Sequence, residues 1–200
     1  MKKILNIQSS PRGAASSSIQ LADAIIGKLR AAHPDAVVET VNLVDKHFPH
    51  LDESHLTSFF TPTEKLSLAD QAAIRHSDES VRAIREADIL VIGAPMYNFS
   101  IHSALKAWID HIVRKGITFD VSEKGAEGLI KGKKVYLVIS SGWVYSEGPM
   151  KNSDFIEPYL RMILGFIGLT DITVYRAEGL LVPGVKETAM EKAIASVVVG

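Results

Sequence analysis

Apolar residues fall into short runs that alternate with stretches of helical periodicity. Ile4-Leu5-Asn6-Ile7, Val37-Val38-Glu39-Thr40-Val41, Ile89-Leu90-Val91-Ile92, Val135-Tyr136-Leu137-Val138-Ile139 and Ile172-Thr173-Val174-Tyr175 read as five strands. The third run is unbroken by polar residues, which predicts a strand covered on both faces. Between the runs, apolar positions recur every three to four residues, the period of an amphipathic helix. Leu21, Ala22, Ile25, Ile26 and Leu29 line one face of a helix opened by Ser16-Ser17-Ser18. A second helix is predicted over Leu68–Arg85, and a third carries Leu105, Trp108, Ile109 and Ile112 on one face. A fourth spans about Phe155–Ile167 and stops at Gly168, a residue suited to the left-handed position after a helix. The last holds Met190, Ala193, Ile194 and Val197.

Five strands in alternation with helices predict an α/β fold: a doubly wound parallel sheet with helices on both faces. At 200 residues, one domain over residues 1–200 is expected, long enough for its own core. Ligands of such sheets bind at the carboxyl ends of the strands, where the strand order reverses. The loops after the first, third and fourth strands are therefore the places to search. Two stretches break the alternation. Residues 45–75 form a long connection containing Phe48, Phe59 and Phe60, and residues 117–132 suggest a small hairpin punctuated by glycines.

Composition narrows the chemistry. The chain has no cysteine, which excludes disulfides, thiolate metal sites, iron–sulfur clusters and thiol nucleophiles. A formal net charge of -1 gives no basis for a nucleic-acid partner, which would need clustered Lys and Arg. No segment approaches the roughly 20 apolar residues of a membrane span, and the amino-terminal apolar run is too short for a signal peptide, so a cytoplasmic location is expected. Of the seven histidines, His47, His50 and His55 cluster, but without an i,i+4 His pair or a cysteine they read as exposed loop residues rather than metal ligands.

The loop after the first strand, Gln8 to Ser18, is dense in Ser and Gly and runs into a helix amino terminus. Free N–H groups and the helix dipole favour an anion there, and hydroxyls of Ser10, Ser16 and Ser18 could complete a phosphate cradle without a lysine. One serine acting as a helix cap is the simpler alternative. Neither G-x-G-x-x-G nor a P-loop is present. The loop after the third strand, Gly93 to His102, passes from strand to Pro95-Met96-Tyr97-Asn98-Phe99: apolar faces plus an amide, a set suited to a flat ligand with a polar edge. After the fourth strand comes Ser140-Ser141-Gly142-Trp143, where Gly142 would let the backbone approach a ligand. No G-x-S-x-G elbow surrounds these serines, which argues against serine hydrolysis.

Together these segments resemble the FMN-dependent NADH-azoreductases, a branch of the flavodoxin-like NAD(P)H:quinone reductases. The resemblance rests on Ser10 with Ser16-Ser17-Ser18, on Pro95 to Ile101 running into Leu105-Lys106-Ala107-Trp108-Ile109-Asp110, on Gly116 to Phe119, on Gly128 to Lys134 and on Gly165-Phe166-Ile167-Gly168. It implies a flavodoxin-like sheet of strand order 2-1-3-4-5, and a homodimer with flavin sites at the subunit interface. Ser10 and Ser16 to Ser18 would hold the FMN phosphate. Met96, Tyr97, Asn98 and Phe99 would hold the flavin ring, and Ser140, Ser141, Gly142 and Trp143 would form its second wall. The implied reaction carries two electrons from NADH or NADPH through FMN to quinones and aromatic azo compounds in ping-pong fashion, with no catalytic side chain required. Residues 45–75 and 117–132 would help build the dimer and the substrate mouth. The family usually has Pro where this chain has His102, and Ser-Arg-Gly-Gly where it has Ser140-Ser141-Gly142-Trp143.

A flavodoxin-type electron carrier without nicotinamide oxidation is the alternative. Near-neutral charge and an apolar mouth of Phe99, Phe119 and Trp143 argue against it. A phosphoacceptor receiver would need acidic residues where this chain has Gln8-Ser9-Ser10.

Overall fold

A computed structural model describes residues 1–200. The five expected strands are β1 (Lys3–Gln8), β2 (Val37–Asn42), β3 (Ile89–Pro95), β6 (Lys134–Ser140) and β7 (Asp171–Ala177). They form one parallel sheet of order β2-β1-β3-β6-β7, with β4 (Phe119–Ser122) and β5 (Gly125–Gly128) as a separate antiparallel hairpin. Counted within the main sheet, this is the order 2-1-3-4-5.

The helices are α1 (Ser17–Ala32), α2 (Leu43–Lys46), α3 (Glu53–Phe60), α4 (Leu68–Glu86), α5 (Ser103–Ile112), α6 (Glu157–Phe166) and α7 (Lys186–Ala195). Alternate strand residues face opposite layers, as the strand's two-residue period requires. Leu5, Ile7, Leu90, Ile92, Val135 and Leu137 pack toward α4, α5 and α6, whereas Ile4, Ile89, Val91, Tyr136 and Val138 pack toward α1 and α7. The long connection of residues 45–75 is more ordered than its sequence suggests, since α3 occupies its centre. Val197, expected on the last helix, lies past the end of α7 yet is buried.

Gly168 behaves as expected. Its φ is +102°, its N–H donates to Gly165 O at 2.9 Å, and Leu169 N–H donates to Leu164 O at 2.9 Å. This pair of bonds satisfies the last carbonyls of α6 and turns the chain into β7.

The histidine reading needs correction at one position. His47 and His50 are exposed, but His55 is buried against the fully buried His111 of α5, the rings 5.1 Å apart. His111 Nε2 donates to the Pro49 carbonyl at 3.0 Å, which fixes the tautomer and leaves the buried Nδ1 without a partner. Burial holds the His111 pKa below its ordinary 6.5; the bond to Pro49 opposes this, and His55 and His76 reinforce it.

The unfolded chain therefore takes up this proton at a higher pH than the folded one. Stability is complete above the unfolded value of about 6.5 and falls as pH drops toward the folded value. We expect urea unfolding at pH 5.5 to show a lower midpoint than at pH 7.5. The slope from this group is at most about 1.4 kcal/mol per pH unit. His111→Gln, which keeps a donor for Pro49, should flatten the dependence, and an unchanged slope in that variant would refute the assignment.

Candidate functional site

The register of the sheet brings three loops to one edge. Ile7 of β1 pairs with Ile92 of β3, and Pro95 at the end of β3 pairs with Ser140 at the end of β6. Ser9 Oγ donates to Gly93 O at 2.7 Å and Met96 N–H donates to Ser140 O at 2.8 Å. These bonds carry the alignment beyond the strands. The order reverses between β1 and β3, so the loops meet at the switch point of the sheet.

At the first loop, Ser10, Ser16 and Ser18 are all buried, and Ser17 is half-buried. Ser16 occupies the position before α1 but its hydroxyl caps no N–H of the helix. It lies instead 3.0 Å from Ser18 Oγ. The first intrahelical bond runs from Gln20 N–H to Ser16 O, which leaves the N–H groups of Ser17, Ser18 and Ile19 without acceptors in the chain. Simple capping by one serine, the alternative considered above, is therefore not what the structure adopts. Ser10 Oγ accepts from Arg12 N–H at 3.3 Å. Buried hydroxyls and unpaired helix N–H groups thus stand together at the amino terminus of α1, a set of donors suited to an anion.

At the second loop, β3 continues through Gly93 and Ala94 to Pro95, so the turn proper begins at Met96. Tyr97 N–H donates to Ser100 O at 2.9 Å and Ser100 N–H to Tyr97 O at 3.0 Å. Between them Asn98 and Phe99 both have left-handed backbones, φ +49° and +68°. This is the type I′ geometry, which normally selects Asn or Gly. Asn98 fits it; Phe99 is held there at a cost of about 1–3 kcal/mol. The turn leaves the N–H groups of Asn98 and Phe99 without acceptors in the chain. His102, standing where the resembling family has Pro, caps α5: its Nδ1 accepts from Ala104 N–H at 3.2 Å. Burial lowers its pKa, which favours the neutral ring that this bond needs.

At the third loop, Ser140 and Ser141 are buried, and Ser141 Oγ donates to Trp143 O at 2.7 Å. The position a Cβ would take at Gly142 lies 2.7 Å from Leu181 Cδ1, the far end of an exposed side chain. Trp143 projects outward, 58% exposed. Glu178 accepts from Tyr145 N–H at 2.9 Å and from Ser146 N–H at 3.0 Å, fixing the loop beyond Trp143. Arg176 holds Glu178 in turn, and also binds Asp154 and Glu157 at the start of α6. Despite the burial of Glu157, the hydrogen bonds from Arg176 and Arg161 keep its pKa below the ordinary value. This charged brace was invisible in the sequence reading, which ended the last strand at Tyr175.

Two clefts flank the Asn98–Phe99 turn. One, of about 770 Å³, has Phe99, Trp143, Val144, Pro149, Met150 and Val182 among its walls. The other, of about 700 Å³, is lined by Tyr97, Asn98, Ile101, His102, Lys106 and Tyr159 among others. Phe119, expected at the same mouth as Phe99 and Trp143, lines neither: it packs on Phe166, with ring centroids 4.5 Å apart. A further cavity of about 350 Å³ lies beneath α4, away from these loops.

Comparison with known proteins matches the arrangement. Residues 2–198 match the Flavodoxin_2 family, described by its flavodoxin-like fold. A Herminiimonas arsenicoxydans protein named FMN-dependent NADH:quinone oxidoreductase is 49% identical over 180 residues, covering 90% of this chain and 88% of that protein. Among solved structures, an azoreductase of Bacillus anthracis strain Sterne superposes with a TM-score of 0.90 at 28% identity, covering 98% of this chain and 96% of that one. An FMN-dependent NADH-azoreductase of Bacillus anthracis strain Ames Ancestor, solved in complex with FMN, gives 0.86 at 25% identity, covering 98% and 97%. A flavodoxin-like sheet, an uncapped serine-rich helix terminus at its switch point and relatives of this kind place the chain in the family of FMN-dependent NADH:quinone oxidoreductases.

Proposed function

We propose that the chain binds FMN across the three loops and carries two electrons from NADH or NADPH to quinones and aromatic azo compounds, in a ping-pong sequence. For a quinone the balance is NADH, H⁺ and quinone giving NAD⁺ and hydroquinone. The observation that carries this reading is the unsatisfied amino terminus of α1 with its buried hydroxyls, beside a turn that presents two free N–H groups. FMN has the matching pair of features, a phosphate and a flat ring with a polar edge.

Ser10, Ser16, Ser17 and Ser18 would hold the phosphate, with the N–H groups of Ser17, Ser18 and Ile19 aligned by the helix. Met96, Tyr97, Asn98 and Phe99 would hold the ring, Asn98 and Phe99 through their free N–H groups. Ser140, Ser141, Gly142 and Trp143 would form the other wall. The N–H groups of Gly142 and Trp143 have no acceptor within the chain and could offset negative charge on the ring. When bound, FMN supplies a centre that takes two electrons from a nicotinamide and yields them to an acceptor. The protein's part is then to bind, orient and exclude water. Exposed Phe99, Trp143, Phe155 and Leu181 support a homodimer that covers part of this mouth. No helix is long and apolar enough to cross a membrane.

The purified protein should be yellow or become so with added FMN. NADH should bleach it anaerobically and a quinone should restore the colour. A preparation that never retains FMN would overturn the proposal. FMN retention without bleaching by either nicotinamide would leave an electron carrier instead.

A further inference from the structure

Arg176 lies near the end of β7, outside all three loops, yet its two terminal nitrogens reach toward two of them. Nη1 donates to Glu178 Oε1 at 3.1 Å, and that oxygen also accepts from the N–H groups of Tyr145 and Ser146. One arm therefore ends on the loop after β6. Nη2 donates to Asp154 Oδ2 at 2.6 Å. The other Asp154 oxygen accepts from Ile156 N–H at 2.9 Å, which fixes the backbone between them, and within it Phe155 N–H donates to Phe99 O at 3.3 Å. The second arm therefore ends on the turn after β3. The two arms meet where the Phe99 and Tyr145 rings pack edge to face, centroids 6.3 Å apart. The side chains of Arg176, Asp154 and Glu178 are 13%, 7% and 10% exposed, so this closed ring of contacts is shielded from water and salt as surface ion pairs are not. The bond to Phe99 O also holds a residue of φ +68°, a backbone that persists only where its surroundings over-determine it.

We propose that Arg176 is a positioning residue for the flavin: holding Glu178 with one nitrogen and Asp154 with the other, it sets the separation of the two loops that flank the ring and aims their free N–H groups. This rests on the function proposed above, and it adds a residue that touches neither FMN nor substrate. The guanidinium is required for its shape. Its rigid fork bonds two carboxylates at once, whereas a lysine ammonium is a single point charge that keeps the charge and loses the span. Donors aimed at the ring edge act most strongly when the ring carries negative charge after reduction. Looser loops therefore weaken flavin binding, and weaken it further for the reduced form, which lowers the reduction potential.

The test titrates apoprotein with FMN and with riboflavin, and measures the two-electron potential of the FMN-loaded protein. The variants are Arg176→Lys, Glu178→Gln and Asp154→Asn, each of which keeps hydrogen-bonding groups in place while breaking an arm. Each should bind FMN and riboflavin about tenfold more weakly and by the same factor, since the ring is common to both; this is roughly the worth of one net hydrogen bond. The potential should fall by about 30 mV, a further tenfold weakening for the reduced form. Combining Arg176→Lys with Glu178→Gln should add little to either alone, because one broken arm already opens the ring of contacts. A lowered urea midpoint with unchanged flavin affinity and potential would make Arg176 a brace for stability only and overturn the inference. Weaker binding of FMN with riboflavin unaffected would place the effect at the phosphate, and would overturn it too. The two amide variants decide the matter should the lysine variant not fold. A native protein that never retains FMN would instead remove the underlying function itself.

Discussion

Ser16→Asp is expected to abolish FMN retention while leaving the apoprotein at least as stable as the native chain. The two effects have opposite sign because one group serves both. Ser16 occupies the cap position of α1, yet its hydroxyl caps nothing, and three first-turn N–H groups remain free. An aspartate there can accept from those N–H groups, which is worth about 1 kcal/mol to the helix. Its charge also suits the positive end of the helix dipole. The same carboxylate would take the N–H groups proposed for the phosphate and repel a phosphate dianion. We expect FMN affinity to fall at least 100-fold, or about 2.7 kcal/mol, read by titration of FMN fluorescence on apoprotein. Thermal melting of the apoprotein should show an equal or higher midpoint. Undiminished FMN affinity would mean that the phosphate lies elsewhere.

Gly128→Ala should be the most damaging small substitution in the fold. A Cβ at Gly128 would stand 2.1 Å from Gly168 N and 2.4 Å from Ile167 C. Both are backbone atoms, so no rotamer change relieves the contact. The β5 strand would have to leave the end of α6, pulling on the bond from Ile130 N–H to Ile167 O and on the buried Ile130 side chain. We expect a loss of about 3 kcal/mol or more in urea unfolding. Gly27→Ala supplies the contrast. Gly27 lies within α1 with open space around its Cβ position, so alanine there should stabilise by about 0.5–1 kcal/mol. Similar responses at the two glycines would contradict the packing described.

The inner strands β1, β3 and β6 were legible because buried parallel strands are written as apolar runs, and the edge strands β2 and β7, only partly covered, from their β-branched residues. The bounds of α4 were nearly so, Leu68–Arg85 in the sequence against Leu68–Glu86 in the structure. Helices α2 and α3 were not. The first is four residues long, and the second turns His55 and Ser58 inward, so its buried side is polar and lacks the apolar stripe that marks a helix. Asp52, which opens α3, is held to a pKa of about 2 by bonds from Ser54 and His55, a local signal too short to stand out. At the site, the three loops were found from strand ends and residue types. Their mutual alignment came from register, and the absence of a serine cap came from side-chain geometry. The Arg176 brace joins residues 154, 157, 176 and 178, and an arginine near the end of a strand gives no sign of such distant partners.

The left-handed pair at Asn98 and Phe99 also sets which substitutions the turn can absorb. Tolerance there should follow backbone handedness rather than hydrophobicity. Glycine and aspartate are conservative at position 98, whereas valine and isoleucine, chemically milder by most scales, are severe at either position. Phe99 carries this strain in the folded state, so exchange for glycine would relax the backbone and strip the cleft of its plate together, whereas alanine would remove the plate and keep the strain. A substitution at either of these two neighbouring positions therefore changes backbone handedness and surface shape together.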